Sequence, residues 1–137
     1  MSEAHLHGAR SFCLTNELVS LAVTEAGGHM TAEFHLSGRK VSPYARAPWL
    51  PDEIGDAMPV LLSHLRGDFF CLPFGPQRNG PPHGEAANGE WKLEESPADE
   101  LRLSMTTSDA DCSVTKSIGT RSGHAALYLQ NTLKGLE

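Results

Sequence analysis

The sequence predicts an all-β protein with the architecture of an antiparallel β-sandwich. Three observations carry this prediction: short segments alternate apolar and polar residues, turn residues separate them at near-regular intervals, and no segment keeps an apolar helical period over three turns. Alternation with a period of two places one face of each strand in a core, and repeated short strands are typical of sandwiches and barrels.

The first predicted unit is a β-hairpin. Residues 18–23 have the composition of a strand, Gly27-Gly28 supplies the turn, and residues 29–36 alternate as the returning strand. The returning strand is predicted to present one face to solvent, and this face holds His29, Thr31, Glu33 and His35. A turn at 37–40 then leads to a further strand start at 41–44.

The middle of the chain is less regular, because three prolines interrupt residues 45–64. Residues 52–56 are predicted to form an acidic loop, and residues 59–62 form either a short strand or one helical turn. Residues 69–74 are an apolar run that we expect to enter the core.

The β-pattern returns after Trp91 and continues to the end of the chain. Strands are predicted around Leu93, 101–105, 112–118 and 125–133. Lys116 stands on the otherwise apolar face of its strand, and Asn131 interrupts the apolar row of the last one. Because the sequence stops directly after a good strand, which leaves an open sheet edge, we expect it to be a fragment of a longer domain.

Composition limits the classes of function. The chain has 137 residues, 39% of them hydrophobic, and a net charge of −6 with scattered basic residues. We therefore expect no nucleic-acid partner and no membrane partner, since both require clustered cations. The three cysteines, Cys13, Cys71 and Cys112, have no CxxC spacing, and the N-terminus does not resemble a signal peptide. Free thiols and a cytoplasmic location are predicted.

Residues 66–91 form the segment with the most binding chemistry. The segment, RGDFFCLPFGPQRNGPPHGEAANGEW, combines arginine, asparagine, histidine and tryptophan with a backbone rich in glycine and proline. Long loops of this kind are often functional. Guanidinium, imidazole and amide groups hydrogen-bond to hydroxyls, and an aromatic face packs against the C–H side of a sugar ring. The segment therefore favours a small polyol as ligand.

The order Pro73-Phe74, Arg78-Asn79-Gly80, His83-Gly84, Trp91 resembles the galactose mutarotase-like (aldose 1-epimerase) family. The resemblance implies that residues 1–137 are the N-terminal part of a single mutarotase-like domain, incomplete as a β-supersandwich. It implies a carbohydrate partner, with Arg78 and His83 binding sugar hydroxyls and Asn88 a further candidate. Trp91 is expected to anchor the core. Here Asn79 follows the arginine instead of preceding it, which leaves Arg66 as the alternative sugar-binding arginine.

The resemblance also implies a chemistry, in which an acid and a base open the sugar ring so that it closes as the other anomer. No position in this sequence matches the family's second histidine or its glutamate, so the catalytic residues stay unidentified. No cofactor and no metal are implied. Two functions follow as expectations: an aldose 1-epimerase-like isomerase in the full-length parent, or a non-catalytic carbohydrate-binding β-sandwich. The oligomeric state is left open.

Other motifs have simpler explanations. His83-Gly84-Glu85 fits half of a zinc deaminase signature whose P-C-x-x-C half is absent. His5-Leu6-His7 could be a metal pair on a barrel strand, but we expect a frayed N-terminal tail. His29, Glu33 and His35 share a predicted strand face and could bind a metal, but a solvent-exposed face explains their alternation more simply. Arg66-Gly67-Asp68 is expected to be a salt-bridged turn, and Cys71 a small buried hydrophobic residue.

Overall fold

Two antiparallel sheets form the protein, as predicted. The computed structural model describes residues 1–108 and 110–135, and in these residues strands dominate over short helices. The strands of the first sheet are β1 (Ser2–Leu6), β2 (Ala9–Thr15), β3 (Val19–Thr24), β4 (Met30–Leu36) and β5 (Arg39–Val41), paired in chain order. The second sheet contains β6 (Lys92–Glu94), β7 (Glu100–Thr107), β8 (Cys112–Gly119) and β9 (Tyr128–Gly135), also in chain order.

The core lies between the two sheets and follows the predicted alternation. Its side chains come from β2, β3 and β4 on one side and from β7 and β8 on the other. Trp91 lies fully buried at the junction and donates a hydrogen bond from Nε1 to the carbonyl oxygen of Ala86, which satisfies its polar group. The prediction that Trp91 anchors the core is confirmed.

The connection between the sheets contains short helices. Residues Pro51–Ile54 form α1, Gly55–Ala57 form a 3₁₀ turn, and Val60–Ser63 form α2. The acidic stretch 52–56 is therefore helical, with Pro51 at the first helical position, where its missing N–H costs no hydrogen bond. For residues 59–62, the helical alternative is the correct one.

The N-terminal residues correct one prediction. They are not a frayed tail, because β1 pairs along its whole length with β2 and Glu3 forms an ion pair with Arg10. Strand β2 was not predicted from the sequence. Its inward residues, Phe12 and Leu14, are too few to give a clear alternating pattern next to Arg10 and Ser11.

His29 is buried rather than solvent-exposed, which corrects the predicted face of the hairpin. It lies just before β4, where the chain has not yet entered the alternating strand. Its Nδ1 lies 3.0 Å from the carbonyl oxygen of His64 and its Nε2 lies 3.1 Å from that of Ala87. Burial lowers the pKa of His29, and the two carbonyl oxygens, which can both accept only from the protonated ring, oppose the shift in part. The imidazole therefore ties the hairpin to the connecting segment.

Among the described residues no helix is long and apolar enough to cross a membrane. Cys13, Cys71 and Cys112 are free thiols. Burial raises the pKa of Cys13 and, together with the charge of Asp68, that of Cys71.

Candidate functional site

The segment 66–91 is fixed at both ends on the β3–β4 hairpin. Asp68 exchanges two backbone hydrogen bonds with Met30, at 2.7 and 2.9 Å. At the other end, Gly27 N–H donates to the carbonyl oxygen of Gly89, and Trp91 N–H donates to that of Glu25. The long loop is thus a positioned element of the fold, and its side chains are held relative to the sheet.

His83 organises the centre of this segment. Its backbone N–H donates to the carbonyl oxygen of Gly75 at 2.8 Å, and its carbonyl oxygen accepts from Leu72 N–H at 3.2 Å. Gly75 N–H donates to the ring atom Nδ1 at 3.2 Å. A neutral imidazole that accepts at Nδ1 carries its proton on Nε2, so the ring offers a donor at that atom. Nε2 has no hydrogen-bond partner among the described residues.

The backbone at His83 is strained. Its φ of 64° lies in the left-handed region, which disfavours side chains other than glycine, and Gly84 follows at 78°. Strained residues of this kind are concentrated at functional sites. The strain turns the chain sharply between residues 81 and 85 and brings the His83 ring to Phe74.

Phe74 is the most exposed large apolar side chain in the described chain. It is 81% exposed, whereas the other residues of the predicted core run 69–74 are at least partly buried. The expectation that the whole run enters the core is therefore wrong at Phe74. The Phe74 and His83 rings lie edge to face, with centroids 4.8 Å apart and planes at 70°. Phe69 approaches the same imidazole from 6.2 Å, again edge to face.

The other two predicted site residues have opposite environments. Arg78 is exposed and forms no ion pair or hydrogen bond with the described residues. The Asn88 amide is engaged: its Nδ2 donates to the carbonyl oxygens of Pro82 and Gly84, and its Oδ1 accepts from Leu61 N–H. Asn88 therefore stabilises the turn that contains His83, and all three of its hydrogen bonds are to backbone groups.

Arg66, the alternative arginine, is committed to the fold. It is 6% exposed and donates three hydrogen bonds, at 3.1 Å each, to the backbone carbonyl oxygens of His64, Leu6 and His7. Burial lowers the pKa of Arg66. It forms no ion pair with Asp68 in the described structure, so the predicted salt-bridged turn is a backbone anchor instead. Of the two arginines, only Arg78 has a guanidinium without hydrogen-bond partners among the described residues.

A cleft that the sequence did not indicate crosses the outer face of the first sheet. Its volume is about 600 Å³, and its polar lining includes Ser20, Thr31, Glu33, Tyr44, Arg46 and Arg66. Apart from Arg66, these residues alternate with the core residues of β3 and β4 or lie in the irregular stretch after β5, and no sequence pattern indicates that they share a cleft. Arg78 and His83 do not line this cleft.

The residues of the alternative metal sites make other contacts in the structure. Within the described chain, no group of three potential ligands lies together. Glu33 pairs with Lys40 at 2.8 Å, while His29 is buried away from Glu33 and His35. Glu85 of the partial deaminase motif accepts a hydrogen bond from Ser108 N–H, whereas His83 is bonded to Gly75.

No protein-family model, no curated protein and no solved structure matches this chain. The resemblance to the galactose mutarotase-like family stays a prediction. The candidate site is accordingly the contacting rings of Phe74 and His83, and the exposed Arg78 lies on the same segment.

Proposed function

We propose that this protein binds a carbohydrate on a platform formed by Phe74, His83 and Arg78. The observation that carries the proposal is the exposed Phe74 ring, held edge to face with an imidazole whose Nδ1 is already bonded to Gly75. Exposing a phenyl group to water is unfavourable, and a ligand that covers the ring would remove this free-energy cost.

Each of the three side chains matches a group that a pyranose presents for recognition. The Phe74 face suits the apolar C–H side of the ring, and the His83 Nε2–H and the Arg78 guanidinium donate to hydroxyl oxygens. About 1 kcal/mol for the aromatic contact and about 1 kcal/mol for each of the two net hydrogen bonds give a total of about 3 kcal/mol. A monosaccharide is therefore expected to bind with a Kd of about 1 to 10 mM.

Binding is favoured over interconversion of anomers. Opening the sugar ring requires a base beside the anomeric hydroxyl, and a carboxylate would serve at neutral pH. No carboxylate contacts the His83 ring among the described residues. The proposed activity is therefore recognition of the sugar, and the isomerase chemistry of the aldose 1-epimerase-like proteins is the second candidate.

A titration followed by nuclear magnetic resonance tests the proposal. With glucose or galactose, we expect amide shifts confined to residues 74–84 in the wild type and their loss in Phe74→Ala, because the platform loses its apolar face. Leu36→Ala is the matched control, since Leu36 is also an exposed apolar side chain but lies on β4. This variant should respond like the wild type.

Two results would overturn the proposal. One is the absence of any shift with either sugar, and the other is an unchanged response in Phe74→Ala. If the same spectra show faster exchange between α and β anomers, the protein is an isomerase and the second candidate replaces the first.

A further inference from the structure

Strand β9 is an unusual edge strand. It has eight residues and pairs only with β8, and no backbone group on its other side is hydrogen-bonded within the described chain. Edge strands are normally protected by charge or by shortness. β5 and β6 have three residues each, and β1 carries Glu3 in an ion pair, whereas β9 contains a single charged residue, Lys134.

The inner face of β9 continues the core but lacks a cover. Leu129, Asn131 and Leu133 lie directly opposite Ile118, Lys116 and Val114 of β8 and so share their face of the sheet. The three β8 side chains are almost completely buried, while Leu129 is 38% and Leu133 is 48% exposed. The core face therefore extends past the residues that cover it.

Asn131 adds a polar requirement to this face. Its Oδ1 is the buried side-chain oxygen without a hydrogen-bond partner in the described structure. A buried acceptor without a donor costs about 1–3 kcal/mol. An occupant of the β9 edge would therefore be expected to bring an N–H donor to this position.

We propose that β9 pairs with β9 of a second copy of the chain, antiparallel and centred on Asn131. In this register the two Asn131 side chains face each other across a twofold axis, so the amide NH₂ of one can donate to the orphaned Oδ1 of the other. The unpaired backbone groups of the two edges bond to each other and join the two four-stranded sheets into one.

The residues on either side of Asn131 are self-complementary. Leu129 of one copy lies opposite Leu133 of the other, so the exposed inner-face leucines cover each other. Tyr128 lies opposite Lys134, which keeps the two lysines of the dimer apart. A shift of the register by one residue would move the leucines opposite polar residues of the other face.

The oligomeric state and a charge exchange test this pairing. Sedimentation velocity at about 1 to 100 µM, the range over which small interfaces dissociate, should show a dimer that forms as concentration rises. Leu129→Glu and Leu133→Lys should each give a monomer, because a charge then faces a leucine. The double variant should dimerise again, since the introduced carboxylate of each copy would meet the introduced ammonium of the other. Leu36→Glu, on the first sheet, should behave as the wild type.

Circular dichroism of each variant verifies that loss of the dimer is not loss of the fold. A wild type that stays monomeric at every concentration would overturn the proposal and leave the face to another occupant. A dimer that survives both single variants would also overturn it, because the contact would then lie elsewhere. Failure of the double variant to dimerise would exclude the register centred on Asn131.

Discussion

Gly84→Ala is expected to lower the free energy of unfolding by about 2–6 kcal/mol. Gly84 has a φ of 78° and a ψ of 177°, a backbone region that is essentially restricted to glycine, where a side chain costs about 1–3 kcal/mol. An added Cβ would also lie 1.9 Å from the carbonyl oxygen of Leu72, so the backbone at 72–73 must move away. Such overpacking typically costs about 1–3 kcal/mol more. Urea denaturation measures the difference.

Gly123→Ala is the control for the close contact. Gly123 also has a positive φ, 75°, but no atom lies within 4 Å of an added Cβ. We expect this control to lose about 1–2 kcal/mol, the cost of a side chain at positive φ without a close contact. Gly84→Ala should in addition abolish the sugar response of residues 74–84 even where it is folded. Equal losses in the two variants would contradict the close contact with Leu72.

Lys116→Met is expected to raise the free energy of unfolding by about 1–3 kcal/mol. Lys116 is 1% exposed in the core, and its ammonium has no hydrogen-bond acceptor among the described residues. The Phe70 and Trp91 rings lie 5.9 and 5.6 Å away, near the outer limit of a favourable cation–π contact. Removing an ion from water costs several kcal/mol, and this cost exceeds the stabilisation that two distant rings provide.

The effect should depend on pH with a defined sign. Burial lowers the pKa of Lys116, and the charges of Asp68 and Cys71 oppose the shift only in part. Between the lowered pKa and the ordinary value of 10.5, the unfolded chain binds more protons than the folded one, so the stability of the wild type rises with pH. The advantage of Lys116→Met is therefore largest below the lowered pKa and shrinks towards pH 10.5.

Lys92→Met is the control for this prediction, because Lys92 is exposed on β6. It should change stability by less than about 0.5 kcal/mol. If Lys116→Met were instead destabilising, the two rings and the charge of Asp68 would have to stabilise the ammonium by more than its desolvation costs, and our account of the core would be wrong.

The strands that period-two alternation predicts are those with a buried face. In β7 and β8, Leu101, Leu103, Val114 and Ile118 mark that face, which only Lys116 interrupts, and both strands were predicted. β1 was missed because it is an edge strand held by backbone pairing and by an exposed ion pair, neither of which requires an apolar pattern. Burial of His29 could not be predicted, since its acceptors, the carbonyl oxygens of His64 and Ala87, are distant in sequence.

The candidate site was predictable as a segment, but not in its details. Gly and Pro content marked residues 66–91, and Arg78 and His83 came from the motif order. No sequence pattern indicates that Arg66 and Asn88 bond to backbone carbonyl and amide groups, because those partners are set by tertiary contacts. Exposure of Phe74 was missed for a related reason. An apolar run predicts burial of its residues on average. That Phe74 is exposed, beside the turn at His83, is seen only in the folded structure.

The most direct measurement of the central claim is the tautomer of His83 and its response to a sugar. Long-range ¹H–¹⁵N correlation spectra of the imidazole should show Nδ1 without a proton and Nε2 with one, because Gly75 N–H donates to Nδ1. Adding glucose or galactose should then move the Nε2 resonance while Nδ1 stays nearly fixed. A proton on Nδ1, or an Nε2 resonance unmoved by both sugars, would contradict the proposed carbohydrate platform.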